Sequence, residues 1–129
     1  MTKAAKKFAR VFKTAWFSKA ATKARIKDDE LCEAILQVTR GQVDDLGGGV
    51  FKKRLNKNMH RSIVLAKGCG FWVYAYLFAK NDRANIEDDE LVAFRKLADL
   101  YVLKTTEDLA KELATKDLVE ICHAEQTEI

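Results

Sequence analysis

Apolar and polar positions along the chain fall into two periods, and the change from one to the other sorts it into helices and strands. Residues 8–12 form a short apolar run compatible with a strand, and residues 14–24 then place Trp16, Phe17 and Ala20 on one helical face. A second helix opens at Asp28 as its cap, with acids at Asp29 and Glu30. Leu31, Ile35 and Val38 follow at helical spacing, and Gly41 lies just past the end. From Val50 the period shortens: residues 50–55, 61–67 and 71–80 are β-rich runs, with the turn Lys67-Gly68-Cys69-Gly70 between the last two. Residues 87–103 return to helix behind four acids, with Leu91, Phe94, Leu97, Ala98 and Tyr101 along one stripe, and a last helix over 107–122 begins at a Thr105/Thr106 cap. The expectation is an α+β fold: a small, twisted, mainly antiparallel β-sheet flanked by helices, with a C-terminal helical extension.

Asp-Asp-Glu-Leu occurs twice, at 28–31 and 88–91, and is read as convergent start chemistry for two helices, since the flanks do not match over a longer period. Proline is absent and glycine clusters only at Gly47, Gly48 and Gly49, so no flexible linker divides the 129 residues. The three cysteines, Cys32, Cys69 and Cys122, are odd in number and widely spaced; they fit neither a disulfide framework nor a zinc site, which predicts reduced thiols and a cytoplasmic address. Cys122-His123 lacks the further ligands a metal would need. No run reaches the length of a membrane span.

Charge changes this picture more than composition does. The formal net charge is +4, but residues 1–85 carry 18 Lys and Arg against 7 Asp and Glu, and residues 86–129 carry 5 against 12. Nine basic side chains and no acid fall within the first 27 residues, a distribution that favours a polyanionic or acidic partner. The same segment resembles an organellar transit peptide, yet removing it would strip the domain of its first strand and helix.

The candidate chemistry lies on the three central strands. Val50, Lys52 and Arg54 share one face of the first and Phe51, Lys53 and Leu55 the other, so two cations stand about 7 Å apart. His60 and Arg61 open the second strand, and Lys80, Asn81 and Arg83 close the third. Fixed cations of this kind suit RNA cleavage through the 2′-hydroxyl, because the phosphorane-like transition state gathers negative charge, and no metal is required for it. His60 is the ring with a suitable ordinary pKa near the cluster, and Tyr74 or Tyr76 can stack on a base or shuttle a proton.

These residues carry a family resemblance. Gly47-Gly48-Gly49-Val50-Phe51-Lys52-Lys53-Arg54, then His60-Arg61-Ser62, then Tyr76-Leu77-Phe78-Ala79-Lys80-Asn81-Asp82-Arg83-Ala84-Asn85-Ile86, resemble RelE-type toxins, in a branch ending in an FAK-x-x-R-x-N-I motif. The resemblance covers roughly residues 8–103 and implies one RelE-like domain over 1–129, with 104–129 as the helical extension. It implies an endoribonuclease that cuts messenger RNA, usually on the ribosome, and inhibits translation. Its partner is then a cognate antitoxin, in a hetero-oligomer without membrane or cofactor. Lys52, Arg54 and Arg61 match the family's basic positions on the scissile phosphate, and Lys80 and Arg83 the pair closing the last strand. Asn81 stands where many members place an arginine, His60 replaces an aromatic residue, and the loop 56–59 is short for this branch.

Plainer readings stand beside these. Lys52 and Lys53 fit edge protection; His60 fits an ordinary surface histidine; Trp72, Tyr74, Tyr76 and Phe78 fit sheet packing. The acidic last segment fits a solvated face or a cover for the basic surface. Two other functions also remain: a ParE-like toxin acting on DNA gyrase, which Asn81 favours, and a basic nucleic-acid-binding module without turnover.

Overall fold

The computed structural model describes residues 10–67 and 70–123. Among these described residues, six strands and four helices run in the order β1 (Arg10–Thr14), α1 (Ala15–Lys23), α2 (Asp28–Thr39), β2 (Asp44–Gly47), β3 (Val50–Leu55), β4 (His60–Leu65), β5 (Phe71–Ala79), α3 (Asp88–Val102), α4 (Thr106–Thr115) and β6 (Leu118–His123). They build one sheet of order β2-β3-β4-β5-β1-β6, in which only β1 and β5 are parallel. This is the α+β fold expected.

Local chemistry accounts for the helix starts. The Thr14 hydroxyl accepts the Phe17 N–H at 3.0 Å and turns β1 directly into α1. Both Asp-Asp-Glu-Leu segments open helices, their acids facing the positive dipole end. Lys27, not Asp28, occupies the cap of α2, so Asp28 is free to take the Lys13 ammonium at 2.7 Å. Glu87 and Glu90 form a reciprocal capping box at α3.

Each face of the sheet has its own apolar core. On one, Val11, Leu55, Val64, Tyr74 and Leu77 pack against Phe17 and Ala21 of α1 and Leu31 and Ile35 of α2. On the other, Phe12, Val50, Ile63, Leu65 and Val73 pack against Ala98 and Tyr101 of α3 and Leu109 of α4. The first 27 residues therefore supply β1, which lies between β5 and β6, and a helix of the core.

Three expectations are corrected. The last helix does not run to Cys122: it stops at Thr115, Lys116 turns left-handed at φ 65°, and Leu118–His123 leaves as a strand against β1. A strand not foreseen, β2, pairs with β3 through a glycine turn in which Gly47, Gly48 and Gly49 all have positive φ. A Cβ at Gly48 would come within 2.7 Å of Arg95, whose guanidinium donates to the carbonyls of Leu46 and Gly47, so α3 anchors this turn by close approach. Finally, Cys32 and Cys122 are not separate thiols: α2 and β6 converge, their Cα atoms lie 6.2 Å apart and the sulfurs are bonded. Phe8 and Cys69 lie outside the described residues. Among the described residues no helix is long and apolar enough to cross a membrane.

Candidate functional site

The β3–β4 register decides which cations meet. Arg54 pairs with Arg61, Lys52 with Ile63 and Leu55 with His60, and directly paired residues project to the same face. Across β4–β5, Arg61 pairs with Phe78 and Ile63 with Tyr76. Lys52, Arg54, Arg61, Tyr76 and Phe78 therefore share the face on which α3 packs. Deeper along that face Val50, Ile63 and Leu65 are buried, whereas Arg54 is exposed and Arg61 half-buried. The connection between the strands is tight, with Asn56, Lys57 and Asn58 all at positive φ and the Met59 N–H bonded to the Asn56 carbonyl at 2.9 Å. Asn56 donates its own N–H to Glu30 of α2, which fixes the turn to the helical layer.

The cations differ in how far they are neutralised. Arg54 has no hydrogen bond or ion pair among the described residues. Arg61 donates to the carbonyls of Asn58, at 2.9 Å, and His60, at 3.3 Å, so it meets no carboxylate. Lys52 donates to Asn85 Oδ1 at 3.3 Å and lies 3.9 Å from an exposed Asp44 carboxylate. Those three groups leave an open face with excess positive charge. Arg83 is different: its guanidinium forms a two-pronged pair with Glu90, donates to the Tyr76 hydroxyl at 3.2 Å and lies over the Tyr76 and Phe78 rings. The Glu90 carboxylate first, and the Tyr76 hydroxyl second, raise the Arg83 pKa above the ordinary arginine value, and Arg83 in turn holds Glu90 below the ordinary carboxylate value. Arg83 therefore shapes this corner with its charge already answered.

The remaining residues singled out in the sequence are not brought to that face. His60 pairs with Leu55 and Ala79, on the side of α1 and α2, and its Nδ1 lies 3.1 Å from Asn56 Nδ2. Lys80 is exposed beyond the end of β5 and has no side-chain partner among the described residues. Tyr74 is buried and donates its hydroxyl to the Leu31 carbonyl at 2.7 Å, which makes it a packing residue. Lys53 lies on the face opposite Arg54 and donates to the Gln42 carbonyl at 2.9 Å; burial first, and the nearby Arg54 second, lower its pKa. Among the described residues, the strand that ends the acidic last segment lies away from the cations. β6 is at the far edge of the sheet from β3, and its Glu120 grips Arg10 through two contacts of 2.8 Å.

Trp16 was missed. It was expected to share one helical face with Phe17 and Ala20; instead Phe17 is fully buried while Trp16 is 52% exposed and stacked on Tyr76, with ring centroids 5.0 Å apart. Its place in the first turn of α1, two residues after the Thr14 cap, puts it beside β5 rather than under the sheet.

A family model described as the RelE toxin of the RelE / RelB toxin-antitoxin system matches residues 9–121. No curated protein and no solved structure matches the chain.

Proposed function

The chain belongs to the RelE family, toxins of RelE / RelB toxin-antitoxin systems, and from that premise we propose that it is an endoribonuclease that cleaves messenger RNA on the ribosome and so inhibits translation. An antitoxin is the partner that the family implies. The observation that carries the nuclease reading is the Arg54–Arg61 pair, which meets no carboxylate among the described residues, beside Lys52, whose ammonium lies 3.9 Å from Asp44.

In the reaction, the ribose 2′-oxygen attacks the adjacent phosphorus and the bond from phosphorus to the 5′-oxygen breaks. The 2′-hydroxyl loses its proton and the departing 5′-oxygen gains one, giving a 2′,3′-cyclic phosphate and a 5′-hydroxyl. Negative charge is greatest on the non-bridging oxygens midway. Arg54 and Arg61, always protonated and planar, donate to those oxygens, and Lys52 supplies a third positive charge. Lys80 is proposed to bind the RNA backbone, and Arg83 to hold the corner at Tyr76. His60, on the other side of the sheet, is proposed to bind RNA and not to act as the base at this phosphate.

The test is cleavage of a programmed ribosome's message, mapped by primer extension. Arg61→Ala is expected to lower the rate by about a hundredfold or more, the usual size for loss of a donor to transition-state charge, while the protein stays folded. A soluble Arg61→Ala protein that arrests growth as the parent does rules the mechanism out. DNA damage and filamentation on induction, with intact messages, assigns the toxin to gyrase instead.

A further inference from the structure

β1 pairs with β5 only as far as Tyr74, so Ala75–Ala79 runs on with no strand on that side among the described residues. α1 lies along this unpaired edge, and between them is a cavity of about 590 Å³, within the usual range of small-molecule sites. Its lining combines aromatic rings with positive charge. Trp16 and Tyr76 supply the rings, and Lys19 and Lys23 stand three and seven residues after Trp16, on the same stripe of α1. Neither lysine has an ion pair among the described residues, and α1 contains no acid. Asp82 is the one carboxylate in the lining, against Lys19, Lys23 and the already paired Arg83.

A half-exposed tryptophan needs an explanation, since burial of its ring is strongly favourable. Tyr76 covers one part of the indole, and the 52% exposure leaves the rest open to the cavity. An open ring beside unpaired lysines matches a planar base joined to phosphates: the base stacks on the ring and the phosphates meet the ammonium groups. The cavity also adjoins the cleavage face, because Tyr76 and Phe78 project to that face and line the cavity as well.

We propose that this cavity is a nucleotide subsite, in which Trp16 stacks a base of the RNA strand and Lys19 and Lys23 hold its phosphates. The subsite positions the strand so that a neighbouring phosphodiester lies on Lys52, Arg54 and Arg61. It selects single-stranded RNA, because a base inside a duplex cannot reach the ring. The assignment rests on the nuclease reading for its substrate, and its test is kept separate from cleavage.

The probe is a short single-stranded oligoribonucleotide with 2′-O-methyl groups throughout, which lacks the nucleophile and cannot be cut. Its binding to the full chain is followed by fluorescence anisotropy over a range of salt. Trp16→Ala is expected to weaken binding about five- to a hundredfold, the range for stacking one base, and Trp16→Phe to retain most of it. Lys19→Ala/Lys23→Ala changes two exposed side chains. It is expected to reduce the slope of log affinity against log salt by about 1.4, the contribution of two phosphates on a single strand. Unchanged affinity in both Trp16→Ala and the double-lysine protein overturns the subsite, whatever Arg61→Ala does to cleavage. Loss of antitoxin binding in these variants, with oligonucleotide binding intact, assigns the cavity to a protein and also overturns it. Weakened oligonucleotide binding in a protein that proves not to cleave RNA leaves the subsite standing and removes only the nuclease reading.

Discussion

Arg54 of β3 and Arg61 of β4 are direct cross-strand partners on one face of the sheet, and Arg61 meets backbone carbonyls, not a carboxylate. Like charges placed opposite one another destabilise a strand pair, by roughly 0.2–1 kcal/mol. A fold that had only to be stable would place an acid or a neutral residue at one of the two positions. Arg54→Gln is therefore expected to raise stability by up to about 1 kcal/mol, through relief of that repulsion, while it lowers message cleavage. Urea unfolding and primer extension on the same preparation check the pair of outcomes; a variant that is both less stable and fully active contradicts it.

Arg83 gives a different expectation, because its charge is already paired with Glu90. Glu90 also accepts the Glu87 N–H and closes the capping box of α3, so one carboxylate joins the 83–90 connection to the helix start. Glu90→Gln is expected to loosen both, read as faster amide exchange at Ile86 and Leu91. Arg83→Ala should cost less in that background than in the parent, as a double-mutant cycle shows for coupled residues. The sign with pH follows from Glu90, whose pKa Arg83 depresses. The contribution is present above the ordinary glutamate value and is lost as pH falls through the lowered one. Parent and Glu90→Gln proteins should thus converge in stability on the acid side.

How much of this was legible depends on the distance over which each feature is decided. The two Asp-Asp-Glu-Leu starts depend on residues within one turn, and both helices begin there. Lys52 and Arg54 share a face because strand side chains alternate, and the same alternation puts His60 on the opposite side from Arg61, a consequence available as soon as both were assigned to one strand. The strand β6 was not legible in this way. Leu118 to Cys122 is apolar enough to prolong a helix, and its partner β1 lies over a hundred residues earlier in the chain. Without that partner neither the strand nor the pairing of Cys122 with Cys32 has a local signal. Trp16 likewise needed the end of β1 and the overhang of β5 to become a cavity wall.

The Cys32–Cys122 bond closes a separation of 90 residues and joins α2 to β6, which among the described residues is an edge strand paired with β1 alone. Cross-linking so long a loop is worth about 2–5 kcal/mol. Dithiothreitol, or Cys122→Ser, is expected to lower the unfolding midpoint accordingly and to speed amide exchange in β6 before it does so in β3 or β4. Identical melting with and without reductant refutes the contribution.

Tyr74 links the stability of the fold to alkaline pH. Its hydroxyl is buried and bonded to Leu31, and burial first, and the Glu30 charge second, raise its pKa above the ordinary value of 10. In the unfolded chain the phenol ionises near 10, but in the folded protein it remains neutral. Its contribution is therefore complete below pH 10 and is lost as pH rises, at up to about 1.4 kcal/mol per pH unit. Tyr101, pushed up to about 12 mainly by burial, acts with the same sign. Lys53 acts oppositely at lower pH, since its depressed pKa makes stability rise with pH towards the ordinary lysine value. Comparison of the parent with Tyr74→Phe cancels the Tyr101 and Lys53 effects. At neutral pH the variant should lose about 1 kcal/mol for the missing hydrogen bond. Above pH 10 its stability should decline less steeply than the parent's, so that the two curves approach and cross. Parallel curves from pH 9 to 11.5 would show that Tyr74 ionises as readily in the folded protein as in the unfolded chain.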